Sequence, residues 1–290
     1  MEPAGVRGKQ VLITGATNGI GLAAAEALAA RGARLAIVAR SESRGRDAVA
    51  RIRAAGGSDA SVDVLLADLS SQASVRRLAA DVLDRYARLD VLVNNAGAFF
   101  ATRRLTEDGI EATWAVNHLA PFLLTTLLLD RLEDSAPARI VITASDAHRG
   151  AHIPFDDLAA GRSYRAGGIG RYGESKLANI LVTAELARRL TGTGVTVNCF
   201  HPGLVASGFG RNNGRLLSAV MTILKPFSRS PERGADTLVW LVEAPEVEGE
   251  SGGYFVDRRP ATPAAAARDM EAAARLWQAS QDQTRSSAPA

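Results

Sequence analysis

Cysteine, histidine and lysine are scarce in this chain of 290 residues. The single cysteine, Cys199, cannot pair within the chain, so an internal disulfide is excluded and a reducing compartment is expected. The four histidines show none of the spacings typical of metal ligands, so no metal site is predicted. Three lysines stand against 31 arginines, so a lysine inside a motif suggests chemistry that arginine cannot supply.

Long apolar runs and clusters of positive charge are also missing. No run is long enough to span a bilayer, and the first residues lack the apolar core of a signal peptide, so we expect a soluble, cytoplasmic protein. The net charge is only +3 and the arginines form no continuous run, so nucleic-acid binding is not expected. Hydrophobic residues make up 47% of the chain, which suits a single large α/β domain.

Residues 11–21, VLITGATNGIG, combine a short apolar strand, a glycine turn and the start of an alanine-rich helix. Gly15 allows a tight bend, Gly19 allows close approach of a bound group, and Gly21 allows the helix to pack on the strand. The free amides at the start of that helix suit a diphosphate. The pattern therefore predicts a nucleotide site, although a plain turn between a core strand and a core helix is the alternative.

The next strand, residues 34–40, ends on Arg40 with no carboxylate until Glu42. An acidic residue at this place would bind the ribose hydroxyls of NAD, whereas an arginine can pair with a 2′-phosphate. Ser41 could add a hydroxyl donor. The pattern favours NADP(H) over NAD(H), the alternative being that Arg40 is a solvated charge at a strand end.

Polar residues follow the next two predicted strands. Residues 62–67 lead to Asp68 and Leu69, where Asp68 or Ser70 could also cap the following helix. Residues 89–93 lead to Asn94-Asn95-Ala96-Gly97, whose adjacent amides need hydrogen-bond partners that packing alone does not provide. We expect both strand ends to face the same crevice.

Four further residues bear side chains suited to proton transfer or to holding a water. Asn117 interrupts the apolar face of a helix predicted over residues 107–131, where it could instead satisfy a neighbouring backbone group. Ser145 ends a fifth strand, while Tyr172 and Lys176 are four residues apart and so share one face of a helix that runs to about residue 190. A Tyr-x-x-x-Lys pair alone is more often a surface feature.

The remaining segments frame this arrangement. A sixth strand, residues 195–200, precedes Pro202 and Gly203, and residues 252–257 suggest a short last strand. Residues 149–171 read as a surface insertion beside the pocket. Residues 208–230 are apolar and predict either a lid over a hydrophobic substrate or a core-packed helix pair. A C-terminal helix is predicted over residues 263–281, and residues 284–290 are expected to be disordered.

Taken in order, these motifs resemble the short-chain dehydrogenase/reductase family over residues from about 9 to 280. The segments around Asn117, Ser145-x-Ala-His148 and Gly252-Gly-Tyr-Phe resemble its retinol-dehydrogenase-like branch. The resemblance implies a single doubly wound α/β domain over residues 1–283, with a Rossmann-type parallel sheet of seven strands flanked by helices. Its branch members commonly act on lipids at membranes, but this sequence shows no hydrophobic N-terminal anchor, and pairing through the long helices makes a homo-oligomer possible.

The resemblance also implies the roles of individual residues. Tyr172 would be the general acid/base, Lys176 would lower its pKa, Ser145 would bind the substrate oxygen, and Asn117 would hold a water linking Lys176 to solvent. The implied cofactor-binding residues are Gly15, Thr17, Asn18, Gly19, Ile20, Gly21, Arg40, Asp68, Leu69, Asn95, Ala96, Gly97, Tyr172, Lys176, Pro202, Gly203, Val205 and Ser207.

The sequence therefore predicts an NADP(H)-dependent oxidoreductase that interconverts a lipophilic alcohol and its aldehyde or ketone. A soluble biosynthetic reductase acting on a polyketide or other secondary metabolite is equally compatible. A catalytically silent NADP(H) sensor or scaffold of the same fold is the alternative, but it predicts damage to the four catalytic positions, and none is damaged. An epimerase or dehydratase would need a longer substrate domain.

Overall fold

The computed structural model describes residues 5–57, 59–205 and 228–285. Its centre is one sheet of the strands β1 (Gln10–Ile13), β2 (Arg34–Ala39), β3 (Val62–Leu66), β4 (Val91–Asn94), β5 (Ala138–Thr143), β6 (Val195–His201), β7 (Tyr254–Val256) and β8 (Arg259–Pro260). Their order across the sheet is β3-β2-β1-β4-β5-β6-β7-β8.

Seven of these strands are parallel, which confirms the doubly wound sheet. An eighth strand corrects the predicted number: the two residues of β8 pair antiparallel with β7. Asp257 and Arg258 both have positive φ and form the tight turn between β7 and β8, which the sequence pattern does not reveal. The strand order reverses between β1 and β4, and in such sheets the crevice at that point binds ligands.

Helices cover both faces of the sheet and bury an apolar cluster on each. The helices are α1 (Gly19–Ala30), α2 (Glu42–Gly56), α3 (Gln72–Arg85), α4 (Ala112–Trp114), α5 (Ala120–Leu127), α6 (Leu129–Asp134), α7 (Ile169–Arg189), α8 (Pro231–Glu243) and α9 (Met270–Thr284). One face carries α1, α2 and α8, whose inward positions are mostly Ala, Leu, Ile and Val, and the other carries α3, α5, α7 and α9.

The helix predicted over residues 107–131 is wrong as a continuous element. It begins only at Ala112, where Glu111 caps the first turn, and it passes through a π-turn at Ala115–Leu119 before α5. Pro121 has no N–H, so it cannot donate the α-helical hydrogen bond to the carbonyl of Asn117. The π-turn therefore contains Asn117, the polar residue that the sequence analysis singled out.

The C-terminal helix starts later than predicted. Asp269 accepts a hydrogen bond from the N–H of Ala272 and caps α9, so the α-helix runs over Met270–Thr284 after a 3₁₀ turn at Ala265–Arg268. Of the predicted lid over residues 208–230, residues 208–227 lie outside the described residues. The predicted tail over residues 284–290 begins too early, because Thr284 still belongs to α9, and residues 286–290 lie outside the described residues. Within the described part of the chain, none of the helices has the length and apolarity needed to cross a membrane.

Candidate active site

A cavity of about 800 Å³ opens along the carboxyl ends of the parallel strands, at the reversal of strand order. Its volume is in the range of a cofactor or drug-sized ligand site. Ser145 of the predicted catalytic group and seventeen of the predicted cofactor-binding residues line it: Gly15, Thr17, Asn18, Gly19, Ile20, Gly21, Arg40, Asp68, Leu69, Asn95, Ala96, Gly97, Tyr172, Lys176, Pro202, Gly203 and Val205. Ser207 lies outside the described residues.

The glycine turn is packed so closely that side chains would not fit. A Cβ on Gly21 would lie 2.3 Å from the carbonyl oxygen of Gly15 and 2.4 Å from Nδ2 of Asn95. Gly15 itself has φ of +68°, a conformation that favours glycine. No side-chain hydrogen bond caps α1 at Asn18, so its first amides are available to a ligand. This cradle fits the diphosphate of a dinucleotide.

Thr14 and Asn95 tie the ends of three strands together. The N–H groups of Asn95 and Ala96 donate to Oγ1 of Thr14, at 3.0 and 3.1 Å. Asn95 Nδ2 donates to the carbonyls of Thr14 and Gly15, and its Oδ1 accepts from Oγ1 of Thr143 at 3.3 Å. The amide pair therefore holds the floor of the cavity, and Thr14 is a supporting residue that the sequence analysis missed.

Ser145, Tyr172 and Lys176 all line the cavity. The side chains of Ser145 and Tyr172 are hydrogen-bonded, and burial raises the pKa of Tyr172 to about 12 against the opposing effect of that bond. Lys176 is 2% exposed, and its Nζ lies 5.6 Å from the centre of the Tyr172 ring. Nζ donates to the carbonyl of Thr143 at 2.9 Å, and burial lowers the pKa of Lys176 to about 8.

Asn117 is fully buried and lies behind the cavity wall. Its Oδ1 accepts from the N–H of Ala98 at 2.7 Å, while Nδ2 donates to the carbonyl of Ala98 and to Oγ of Ser175, at 2.9 and 3.0 Å. Ser175 Oγ in turn donates to the carbonyl of Tyr172. The side chain thus braces the loop after β4 against α7, and its role in holding a water stays a prediction.

At one end of the cavity lie two arginines and a carboxylate. Arg44 lines it together with Arg40, although the sequence analysis did not single out Arg44. The sequence could have pointed to Arg44, because this arginine lies four residues after Arg40, in the first turns of α2. Asp68 accepts hydrogen bonds from the N–H and Oγ of Ser70, and Ser71, rather than either of them, caps α3. This end suits the adenosine part of a dinucleotide and a phosphate on its ribose.

The other end of the cavity has an apolar wall that sequence reasoning missed. Phe99 packs edge-on against Tyr172 with ring centres 6.3 Å apart, and Phe100, Val116 and Leu204 line the same space. The signal was Phe99-Phe100 directly after the Asn-Asn-Ala-Gly motif. His201 also lines it, and its Nδ1 accepts from the N–H of Asp146 at 3.2 Å, while burial lowers the pKa of this histidine.

Comparisons with known proteins agree with this geometry. A family model described as short chain dehydrogenase matches residues 9–215. The chain is 42% identical to retinol dehydrogenase 14 of Mus musculus, with 97% of this chain and 87% of that protein covered. It is 44% identical to a candidate daunorubicin C-13 ketoreductase of Streptomyces, with 95% and 92% covered.

Solved structures show the same relationship. A short chain dehydrogenase from Burkholderia cenocepacia in complex with NADP is similar, with a TM-score of 0.68 and 31% identity over 86% of this chain and 96% of that one. Family model, relatives and fold thus agree over most of the chain. The protein belongs to the short-chain dehydrogenase/reductase family, in its retinol-dehydrogenase-like branch, and is an oxidoreductase acting on CH–OH groups.

Proposed function

We propose that this enzyme uses NADP(H) to interconvert a lipophilic alcohol and its aldehyde or ketone, with Tyr172 as the general acid/base. The observation that carries the proposal is the meeting of Ser145, Tyr172 and Lys176 in the cavity that also holds the glycine turn. The names of two relatives, a retinol dehydrogenase and a candidate ketoreductase, support this class of reaction. Cytoplasmic location and assembly into a homo-oligomer stay predictions from the sequence.

The proposed chemistry follows from the charges in the cavity. A bound nicotinamide would supply or accept the hydride. Tyr172 donates its phenolic proton to the carbonyl oxygen as negative charge develops there, and Ser145 donates a hydrogen bond to the same oxygen. Burial raises the pKa of this phenol to about 12, too high for efficient proton exchange at neutral pH. The ammonium of Lys176, held beside the ring, stabilises the phenolate left after proton transfer.

The preference for NADP(H) rests on Arg40 and Arg44. Both side chains line the adenosine end of the cavity, whereas the nearby carboxylate of Glu42 is exposed and paired with Arg46 at 3.2 Å. Two guanidinium groups attract a 2′-phosphate, and neither finds its own carboxylate partner among the described ion pairs. Relatives solved with NADP support the proposal.

The proposal of a lipophilic substrate is based on the apolar wall formed by Phe99, Phe100 and Val116. Burying an apolar substrate against such a wall contributes about 25 cal/mol per Å² removed from water. A carbonyl compound with an apolar or aromatic body would place its oxygen at Tyr172 and Ser145 while its body covers the phenylalanines. The described residues fit a retinoid-like and a polyketide-like body equally well.

The first test is turnover of NADPH and NADH, followed by absorbance, with a panel of lipophilic aldehydes and ketones. We expect oxidation of NADPH that is lost in Tyr172→Phe, which removes the hydroxyl that donates the proton. Equal turnover in the variant would refute the role of Tyr172, and failure to bind either nucleotide would refute the nucleotide site.

The cofactor preference is tested by Arg40→Asp and Arg44→Asp. Each should weaken NADPH binding about 10- to 100-fold, the range of one or two lost charge-assisted hydrogen bonds, and should change NADH binding much less. Arg46→Asp is the matched control, because Arg46 lies on α2 two residues after Arg44, does not line the cavity and pairs with Glu42. Equal losses for both nucleotides would show that these arginines do not read the 2′-phosphate.

A further inference from the structure

A fully buried ion pair joins the segment that bears Asn117 to the helix that bears Tyr172 and Lys176. Nε of Arg171 lies 2.9 Å from Oε2 of Glu111, and their side chains are 1% and 0% exposed. Arg171 directly precedes Tyr172 in the first turn of α7, and Glu111 directly precedes the helix that leads into the π-turn of Asn117. Neither residue lines the cavity.

Glu111 fixes the start of the Asn117 segment. Its Oε1 accepts from the N–H of Thr113 and its Oε2 from the N–H of Trp114, both at 2.9 Å. The hydroxyl of Tyr164 donates to the carbonyl of Phe100 at 2.7 Å and lies 3.3 Å from Oε1 of Glu111. One carboxylate therefore connects a helix start, the insertion before α7 and the loop that carries the apolar wall.

Arg171 fixes the start of α7 in a comparable way. Besides Glu111, its guanidinium donates to Glu174 at 3.1 Å and to the carbonyl of Leu158. The planar group stacks over the ring of Trp114, 4.4 Å from its centre. The N-cap of α7 is Gly168, which has no side chain to cap the helix. The Arg171 side chain is thus a polar anchor of this first turn.

A buried ion pair of this kind contributes more to the orientation of its side chains than to the stability of the fold. Burying two charges costs desolvation that their attraction only roughly repays, so apolar replacements of a buried pair are often equally stable. The guanidinium fork, however, accepts only a few orientations of its partners. Because successive residues on a helix differ by about 100° in direction, holding Arg171 in one orientation also sets the direction of Tyr172.

We propose that Glu111 and Arg171 are positioning residues that align Tyr172 with Ser145 and Asn117 for proton transfer. This inference rests on the proposed role of Tyr172. It predicts that the pair acts on the chemical step and not on cofactor or substrate affinity, since neither side chain reaches the cavity.

The test compares Arg171→Met with Arg189→Met in the full chain, using the carbonyl substrate that the panel identifies. Arg189 is a matched control: it lies on α7, pairs with the buried Glu185 at 2.7 Å, and stacks over Trp277 with its Cζ 4.4 Å from the ring centre. Arg171→Met should lower kcat about 10- to 100-fold, as small misplacements of a reacting group do, with KM and the Kd of NADPH within about twofold. Arg189→Met should leave kcat unchanged, and Arg171→Lys should restore part of it.

The double variant Glu111→Gln with Arg171→Met guards against a folding failure, because it removes both buried charges together. A folded double variant with low kcat supports the proposal, and a folded one with the kcat of the native enzyme overturns it. If neither variant folds, the pair serves folding instead of alignment, which also overturns it. Should Tyr172→Phe keep full turnover, the proposed function itself fails, an outcome separate from any result at Arg171.

Discussion

Lys176 shows at the scale of one residue how function conflicts with stability. It is one of three lysines in the chain, it is 2% exposed, and its ammonium donates to the carbonyl of Thr143. Burial lowers its pKa to about 8 from the usual 10.5, so the charged form is less stable in the fold than in water. A residue retained at such a cost is expected to serve the reaction, here as the cation beside the phenol.

Replacing Lys176 by Met should abolish turnover and yet stabilise the fold at pH 7 by about 1 to 3 kcal/mol. Below pH 8 Lys176 is charged in the folded protein, so burial of this charge lowers the stability of the fold by its full amount. Between pH 8 and 10.5 the folded state loses this proton before the unfolded state does, so the stability of the native protein rises with pH. The advantage of the variant should therefore shrink towards pH 10.

Chemical denaturation of both proteins at pH 7 and pH 10 measures this difference. Lys176→Arg, which keeps a charge at the site, is the control and should gain no stability. A Met variant that is less stable than the native protein at pH 7 would contradict the assignment of a burial cost to Lys176.

At the scale of elements, the unit formed by β1, the glycine turn and α1 depends on contacts with β4. Gly21 lies in the first turn of α1 and touches the carbonyl of Gly15 and the side chain of Asn95, which follows β4. Asn95 in turn bonds Thr143 at the end of β5. The turn is therefore held by residues about 80 positions away in the sequence, and its shape depends on the neighbouring strand.

Gly21→Ala should weaken NADPH binding by tenfold or more and destabilise the fold, because the added methyl group would overlap the Gly15 carbonyl at 2.3 Å. Isothermal calorimetry and thermal denaturation measure the two effects. Gly161→Ala is the control, since its Cβ would meet only Asp157, at 3.6 Å. Native affinity in Gly21→Ala would show that the turn relaxes more freely than the packing implies.

At the scale of the whole molecule, the C-terminal helix α9 closes the core behind the catalytic elements. Ser280 of α9 bonds Nε2 of His118 at 2.8 Å, and His118 directly follows Asn117 in the π-turn. Trp277 packs edge-on against Phe122 of α5. The last helix of the chain thus supports the segment that braces the active site, and its loss is expected to affect more than a terminus.

The stability of the molecule should fall in mild acid because His118 is buried. Burial lowers the pKa of His118 to about 3, whereas the unfolded residue titrates near 6.5. Between these values the unfolded state binds more protons, so stability is lost as the pH falls below 6.5. From pH 7.5 to 5 this residue alone should cost about 2 kcal/mol, and burial lowers the pKa of His148 and His201 in the same direction.

Urea denaturation of the native protein and of His118→Phe at both pH values tests this expectation. The variant keeps an aromatic ring beside Phe122, and Ser280 keeps its bond to the carbonyl of Leu276. Its loss of stability between pH 7.5 and 5 should be smaller by about 2 kcal/mol, whatever its absolute stability. Equal losses of stability in the two proteins would show that His118 does not cause the loss of stability in mild acid.

Much of the site was predictable because its signals are local. The glycine turn, the adjacent amides at Asn95, and the spacing of Tyr172 and Lys176 each lie within one strand end or one helix face. The π-turn had a local cause in Pro121, but a regular apolar pattern concealed it. Ser207 and residues 208–227 of the predicted lid lie outside the described residues, so those predictions stand as they were made.

By itself the sequence determined the order of the strands along the chain, the positions of most cavity residues and the chemistry they bring, since each depends on neighbours a few residues apart. The spacing of Arg40 and Arg44 is local, but only the tertiary structure decided that both line the cavity, that Phe99 packs on Tyr172, and that Glu111 pairs with Arg171. The last two contacts join segments 60 to 73 residues apart, and that pairing is set by how the helices pack on the sheet. The packing of the helices brings these two charges together, and no periodicity in the sequence predicts such a buried pair.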